Sequence, residues 1–182
     1  MRDVPTLRTE RFALRPLLRE DAAALLPTLA EPDNCRFLTH AAFASEEELW
    51  NWLSDPTWKG RSWIAEDANG EVVGRFVAIP AHQAGVEEIG YITVAHRVKE
   101  RVARECTSAI MRQLIEEEGA RKLIAEVDMR NTASIRLLES LGFMREALFR
   151  EHETTHIGMC DVAVYGLLAA DYECPSQDQS VS

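Results

Sequence analysis

Asn131 to Phe143 reads NTASIRLLESLGF, and this stretch organises everything around it. Asparagine is a strong helix N-cap. Leu137, Leu138 and Leu141 then recur at helical spacing, and Gly142 supplies the left-handed residue that stops a helix. Just upstream, residues 122–128 (KLIAEVD) are an apolar run of strand length. Just downstream, residues 143–151 and 158–167 read as two further strands. The segment is therefore a short helix linking one buried strand to a closing pair.

Moving outward, Ala103 to Glu118 is the clearest helix, with Ile110, Met111, Leu114 and Ile115 on one side and Gly119 ending it. Glu87 to Val94 (EEIGYITV) is a strand, and residues 80–86 before it form a loop. Residues 62–67 and 71–79 are apolar runs joined through Asn69-Gly70, a hairpin signal. Ser45-Glu46-Glu47-Glu48 is a capping box opening a helix with Leu49, Trp50 and Trp52. Glu20 and Asp21 open an earlier helix that Pro27 can kink. Residues 7–16 read as one first strand anchored by Leu7, Phe12 and Leu14. The order is strand, two helices, a three-strand antiparallel meander, helix, strand, helix, two strands. This predicts an α/β (α+β) domain around one mixed, mostly antiparallel sheet over residues 1–174. The polar tail 175–182 (PSQDQSVS) is expected to be disordered.

Composition narrows the function classes. Apolar residues make up 46% and charged residues 27% of the 182, as in ordinary globular proteins. No run approaches the roughly 20 apolar residues of a membrane span, and the N-terminus lacks a secretory stretch, so no membrane role and a cytoplasmic location are expected. The formal net charge of −10 makes nucleic acid a poor partner and a cationic acceptor a good one, although solubility alone explains it equally. Cys35, Cys106, Cys160 and Cys174 form no CxxC pair and are expected to be packing or incidental thiols. His152-Glu153-Thr154-Thr155-His156 matches HExxH, but that zinc motif works only on a helix. Here its β-branched centre and strand-like flanks argue against one, so no metal is expected. His40, His82 and His96 stand alone. Trp50, Trp52, Trp58 and Trp63 are either core or the wall of an acceptor cleft.

Glu88-Ile89-Gly90-Tyr91, the long helix, Glu126-Val127, Asn131-Thr132-Ala133-Ser134 and Leu138 to Phe143 follow one another in an order that resembles the GNAT acetyltransferases. Within that superfamily the chain is most similar to the Rim-type branch, which acetylates ribosomal-protein N-termini. The resemblance runs over about residues 7–168 and continues to Asp161-Val162 and Tyr165. It implies a sheet with two splayed strands forming the acetyl-CoA cleft, and transfer of acetyl from CoA to a primary amine. The acceptor is either a basic protein N-terminus or a small amine, in a monomer or homodimer.

The same resemblance assigns residues. The backbone of Ile92 to Val94 would pair with pantetheine. Asn131 would bond pantetheine or the thioester, or simply cap its helix. Many GNAT enzymes protonate the departing thiolate with a tyrosine seven residues after the asparagine; here that position is Leu138, which cannot donate. The Rim branch uses a serine, matched by Ser134, with capping or solvation as its plain alternative. Glu153 matches that branch's water-mediated base or is an exposed hairpin carboxylate, and Glu88 is the rival base. The phosphate-cradling loop of the family, Q/R-x-x-G-x-G/A, aligns with Val98-Lys99-Glu100-Arg101-Val102-Ala103. Only Ala103 fits, and Arg101 replaces the key glycine. Arg97, Lys99, Arg101 and Arg104 cluster there. Either their side chains replace backbone contacts to phosphate, or the site has decayed and the chain is a catalytically weak binding module.

Overall fold

The computed structural model describes residues 3–173. The expected tail, 175–182, and Cys174 lie outside that range. Eight strands form one sheet in the order β1-β2-β3-β4-β5-β6-β8-β7. They are β1 (Leu7–Arg8), β2 (Ala13–Pro16), β3 (Arg61–Glu66), β4 (Val72–Pro80), β5 (Val86–Thr93), β6 (Lys122–Asp128), β7 (Met144–Thr155) and β8 (Gly158–Leu168). The helices are α1 (Asp21–Leu29), α2 (Glu46–Leu53), α3 (Val102–Arg112) and α4 (Thr132–Ser140). β5 and β6 run parallel, and every other neighbouring pair is antiparallel.

One expected element divides. Residues 7–16 are a tight hairpin, not one strand, with Leu7 opposite Leu14. Thr9 N–H donates to the Phe12 carbonyl at 2.9 Å, and the Thr9 hydroxyl donates to Glu105 Oε1 at 2.6 Å. The physical reason lies in parity: Leu7 and Phe12 are five apart, so one straight strand would point them to opposite faces. The long helix also ends early. α3 gives way to a π turn over Gln113–Glu117 before Gly119 (φ 71°). α1 runs through Pro27 and stops two residues later.

The Ser45 half of the capping box forms as read, with Glu48 N–H donating to Ser45 Oγ at 3.2 Å, but Glu48 reaches one residue further back, its Oε2 accepting from Ala44 N–H at 2.7 Å in place of the Ser45 N–H. The Asn69-Gly70 turn closes with Gly70 at φ 78°, and Asp67 Oδ1 accepts from the N–H groups of Asn69 and Glu71.

The sheet separates two apolar cores. One holds Trp63, Phe76, Ile110, Met111, Leu123 and Leu138, under α3 and α4. The other holds Leu25, Leu29, Phe43, Leu49 and Ile64, under α1 and α2. With both faces of the central strands covered, burial is nearly continuous along them, as in β3, where Arg61 to Ala65 are all buried.

Candidate active site

Three residue pairs join β5 to β6: Val86 with Lys122, Glu87 with Leu123, and Glu88 with Ile124. Beyond Glu88 the strands part. β5 stays with β4 as far as Thr93, while β6 stays with β8 as far as Asp128. The result is a V-shaped opening in the middle of the sheet.

Backbone parity decides which groups of β5 face this opening. Val86 O accepts from Ala81 N–H at 2.9 Å, and Val94 N–H donates to Val73 O at 3.1 Å, so the even-numbered residues turn their main chain toward β4. Ile92 and Val94, expected to bind through backbone, therefore face β4. The Val94 side chain is also buried in the α1/α2 core. Tyr91 and Thr93 turn their backbone groups into the opening instead. Only register reveals this, and register is invisible in EIGYITV by itself.

Side chains alternate across the same strand. Tyr91 packs toward the α3/α4 core, and its Oη lies 2.7 Å from Ser134 Oγ and 3.4 Å from the Ser134 carbonyl. Burial pushes the Tyr91 phenol above its ordinary value, and the bond to Ser134 pulls it partly back. Asn131 caps α4: its Oδ1 accepts from Ser134 N–H at 3.1 Å, which fixes the serine backbone. Leu138 is fully buried in the core.

Glu88 projects from the other face, toward the side that α1 and α2 occupy. Burial raises its carboxyl above the usual range, and repulsion from Glu126 and Glu153 raises it further. The two rival bases thus share one electrostatic environment, with Glu126 as an unforeseen third member. Glu153 lies just past an irregular stretch of β7, where Glu151 adopts φ 48° and its N–H is held by Asp161 Oδ1 at 2.8 Å. Such bulges re-aim side chains. The opening therefore has a phenol–serine pair on one face and three carboxylates on the other.

The loop before α3 keeps a glycine-like backbone without glycine. Lys99 has φ 79°, and Arg101, the residue preceding α3, has φ 61° and ψ 15°. No side chain caps α3, so the N–H groups of Val102, Ala103 and Arg104 form an uncapped first turn. The four cations divide in role. Arg97 is held by Asp67 and Glu100 at 2.9 and 2.8 Å, and Arg104 donates to Ser140 Oγ at 2.7 Å. Lys99 and Arg101 are exposed and make no ion pair among the described residues. Arg101, Arg104 and Ser140 border a cleft of about 900 Å3.

Other expectations resolve simply. His152 to Thr155 lie in β7 and His156 begins a turn, so the HExxH residues share no helical face. Trp63 is core, and its Nε1 donates to Pro5 O at 2.9 Å. Trp52 and Trp58 stack over the buried Arg75 guanidinium at 5.0 and 5.3 Å, and burial lowers that group to about 10. Cys35, Cys106 and Cys160 are free and buried, and desolvation raises each thiol, Cys106 to about 12. No helix among the described residues is long and apolar enough to cross a membrane.

Residues 11–144 match the family model of the acetyltransferase (GNAT) domain. This chain belongs to the GNAT acetyltransferase family. The chain is 28% identical over 176 residues to the uncharacterized N-acetyltransferase p20 of Bacillus licheniformis, covering 92% of this chain and 98% of that one. A GNAT-family acetyltransferase structure from Bacillus anthracis superposes with a TM-score of 0.84 at 21% identity, over 91% of this chain and 99% of that one. The spermidine N-acetyltransferase of Vibrio cholerae, solved with CoA and spermine, gives a TM-score of 0.76 at 19% identity, over 88% and 97% of the two chains. The splayed β5–β6 pair thus sits in a GNAT fold.

Proposed function

We propose that this chain transfers acetyl from acetyl-CoA to a primary amine by direct attack, with a cationic molecule as acceptor. The observation that carries the reading is the division of labour across the splay: a hydroxyl pair on one face of β5 and clustered carboxylates on the other. Acetyl-CoA supplies an activated acyl group as its thioester. The residues present fit it. The backbone of Tyr91 and Thr93 offers unpaired strand edge to the pantetheine arm. The N–H groups of Val102, Ala103 and Arg104, together with the Lys99 and Arg101 side chains, offer donors to phosphate. Asn131 keeps α4 and Ser134 in place beside the thioester.

On the acceptor side, Glu88 is the stronger base for a proton near neutrality, because its raised carboxyl is poised closer to working pH. Glu153 and Glu126 hold that carboxyl up and attract a positive acceptor. Ser134 would serve as proton donor to the departing sulfur. The retained backbone at Lys99 and Arg101 supports an active cosubstrate site over a decayed one, since strained conformations persist where the surroundings enforce them.

The carboxylates and the net charge of −10 favour an acceptor with more than one positive charge, either a polyamine or a basic protein N-terminus. The Vibrio cholerae neighbour, a spermidine acetyltransferase, favours including polyamines. Thiol release from acetyl-CoA is the test, run with polyamines, basic N-terminal peptides and neutral amines. Turnover on a cationic amine is expected. Acetyl-CoA binding without turnover on any of the three groups would leave the binding-module reading in its place.

A further inference from the structure

We propose that Tyr91 is a proton-relay residue behind Ser134: as the serine hydroxyl gives its proton to the leaving sulfur, the Tyr91 hydroxyl refills it. This inference rests on the acetyl-transfer reading above. Its geometric basis is the 2.7 Å approach of Tyr91 Oη to Ser134 Oγ, which bridges the sheet strand and the helix on either side of the opening. Two hydroxyls that close share one hydrogen bond, so one of the two protons lies between them; the other goes to a further acceptor, and for Tyr91 only the longer 3.4 Å approach to the Ser134 carbonyl competes with the 2.7 Å bond to Ser134 Oγ. If Tyr91 donates to Ser134 Oγ, the free proton belongs to Ser134 and can point elsewhere. The pair is held from both ends. Ser134 N–H is tied to Asn131 Oδ1 at 3.1 Å, and the Tyr91 ring packs on the core.

Chemistry gives the phenol its task. A lone serine would be left as an alkoxide after donating, a very strong base. A phenol ionises far more readily than an aliphatic hydroxyl, so even with burial raising it the Tyr91 phenol is the better-matched source of a proton for a departing thiolate. An ordinary phenol is already protonated at physiological pH and burial raises Tyr91 further, so the relay is loaded before each turnover. The balance closes. Acetyl transfer forms a C–N bond and breaks the C–S bond, the electron pair leaving on sulfur. The amine's surplus proton goes to a carboxylate on the far face. Sulfur takes the Ser134 proton and Ser134 takes the Tyr91 proton; after product leaves, water returns a proton to the phenolate and carries off the one held by the carboxylate.

The test combines a double-mutant cycle with a titration of the free protein. Tyr91→Phe should lower kcat roughly a hundredfold, with KM for acetyl-CoA within about threefold. The Tyr91→Phe/Ser134→Ala double variant should be no slower than Ser134→Ala alone, because both residues serve one proton path. In ligand-free protein carrying 13C at tyrosine Cζ, Ser134→Ala should move the Tyr91 titration to higher pH and leave those of Tyr165 and Tyr172 in place. Should Tyr91→Phe misfold, 3-fluorotyrosine at position 91 keeps ring and hydroxyl, and its more acidic phenol should move the alkaline limb of kcat to lower pH. Wild-type kcat in Tyr91→Phe, single losses that multiply in the double variant, or an unmoved Tyr91 titration would each overturn the relay. A wild type that turns over no amine would overturn the acetyl-transfer reading, and the relay with it.

Discussion

Replacing Arg101 with glycine separates two roles that this residue combines. Its backbone sits at φ 61° and ψ 15°, inside the left-handed region. For an L-residue that conformation costs about 1–2 kcal/mol. Glycine removes the cost, but its unfolded chain is freer by about 0.4–1 kcal/mol. The net gain for Arg101→Gly is therefore roughly 0–1.5 kcal/mol, a rise in Tm of up to about 5 °C at this size. Arg101→Ala keeps the strain and loses the guanidinium, so its Tm should stay near wild type. Affinity should move the other way. If the guanidinium binds phosphate, both variants lose a charge-assisted contact worth about 1.5 kcal/mol, close to tenfold in Kd. Calorimetric titration with acetyl-CoA at two salt concentrations and a thermal melt would measure both effects. A lower Tm in Arg101→Gly would refute the strain argument. Unchanged Kd in Arg101→Ala with tighter binding in Arg101→Gly would show that backbone alone cradles the phosphates.

Two further outcomes follow from the site. Glu88 has a raised carboxyl, so folding favours its protonated form; its contribution to stability is full at acid pH and is lost as pH rises through the raised value. Glu88→Gln should therefore raise Tm at pH 7–8 while removing the lower limb of the kcat profile, and Glu153→Gln should shift that limb to lower pH by removing a like charge; an unmoved limb in both variants would exclude Glu88 as base. Leu138→Tyr, which restores the tyrosine that many family members carry, should destabilise by about 1–3 kcal/mol without raising kcat, because the site is a filled core position at 1% exposure; thermal melts and the thiol assay would show it, and a faster enzyme would mean that α4 can still present a donor to the thioester.

How much was legible depends on how local the signal is. NTASIRLLESLGF announced a cap, a helix and a stop within thirteen residues, and each part formed where its chemistry required. The capping box at Ser45 and the Asn69-Gly70 turn were readable for the same reason. The Tyr91–Ser134 contact spans 43 residues of sequence and depends on the strand and helix meeting, so no local pattern announces it. Within the stretch Ile92 to Val94 the sequence does not say whether odd or even residues turn their backbone to the opening, because that is set by β4's register. The divided first strand was a missed local signal, since Leu7 and Phe12 already violate two-residue alternation. Glu126 sat in plain view as the outward residue of β6, but its coupling to Glu88 comes from strand pairing at Glu88 and Ile124.

A crevice edged by main chain is indifferent to most mutation. The N–H and C=O groups of Tyr91 and Thr93 persist through any replacement that keeps β5 extended. Drift can therefore erase most side-chain identity and leave the edge of the opening intact. The Bacillus anthracis structure keeps the same fold at 21% identity, with a TM-score of 0.84. Selection on such an edge acts on strand geometry rather than on spelling. At Tyr91 one residue offers the edge its backbone and, in the proposed relay, the chemistry its tip.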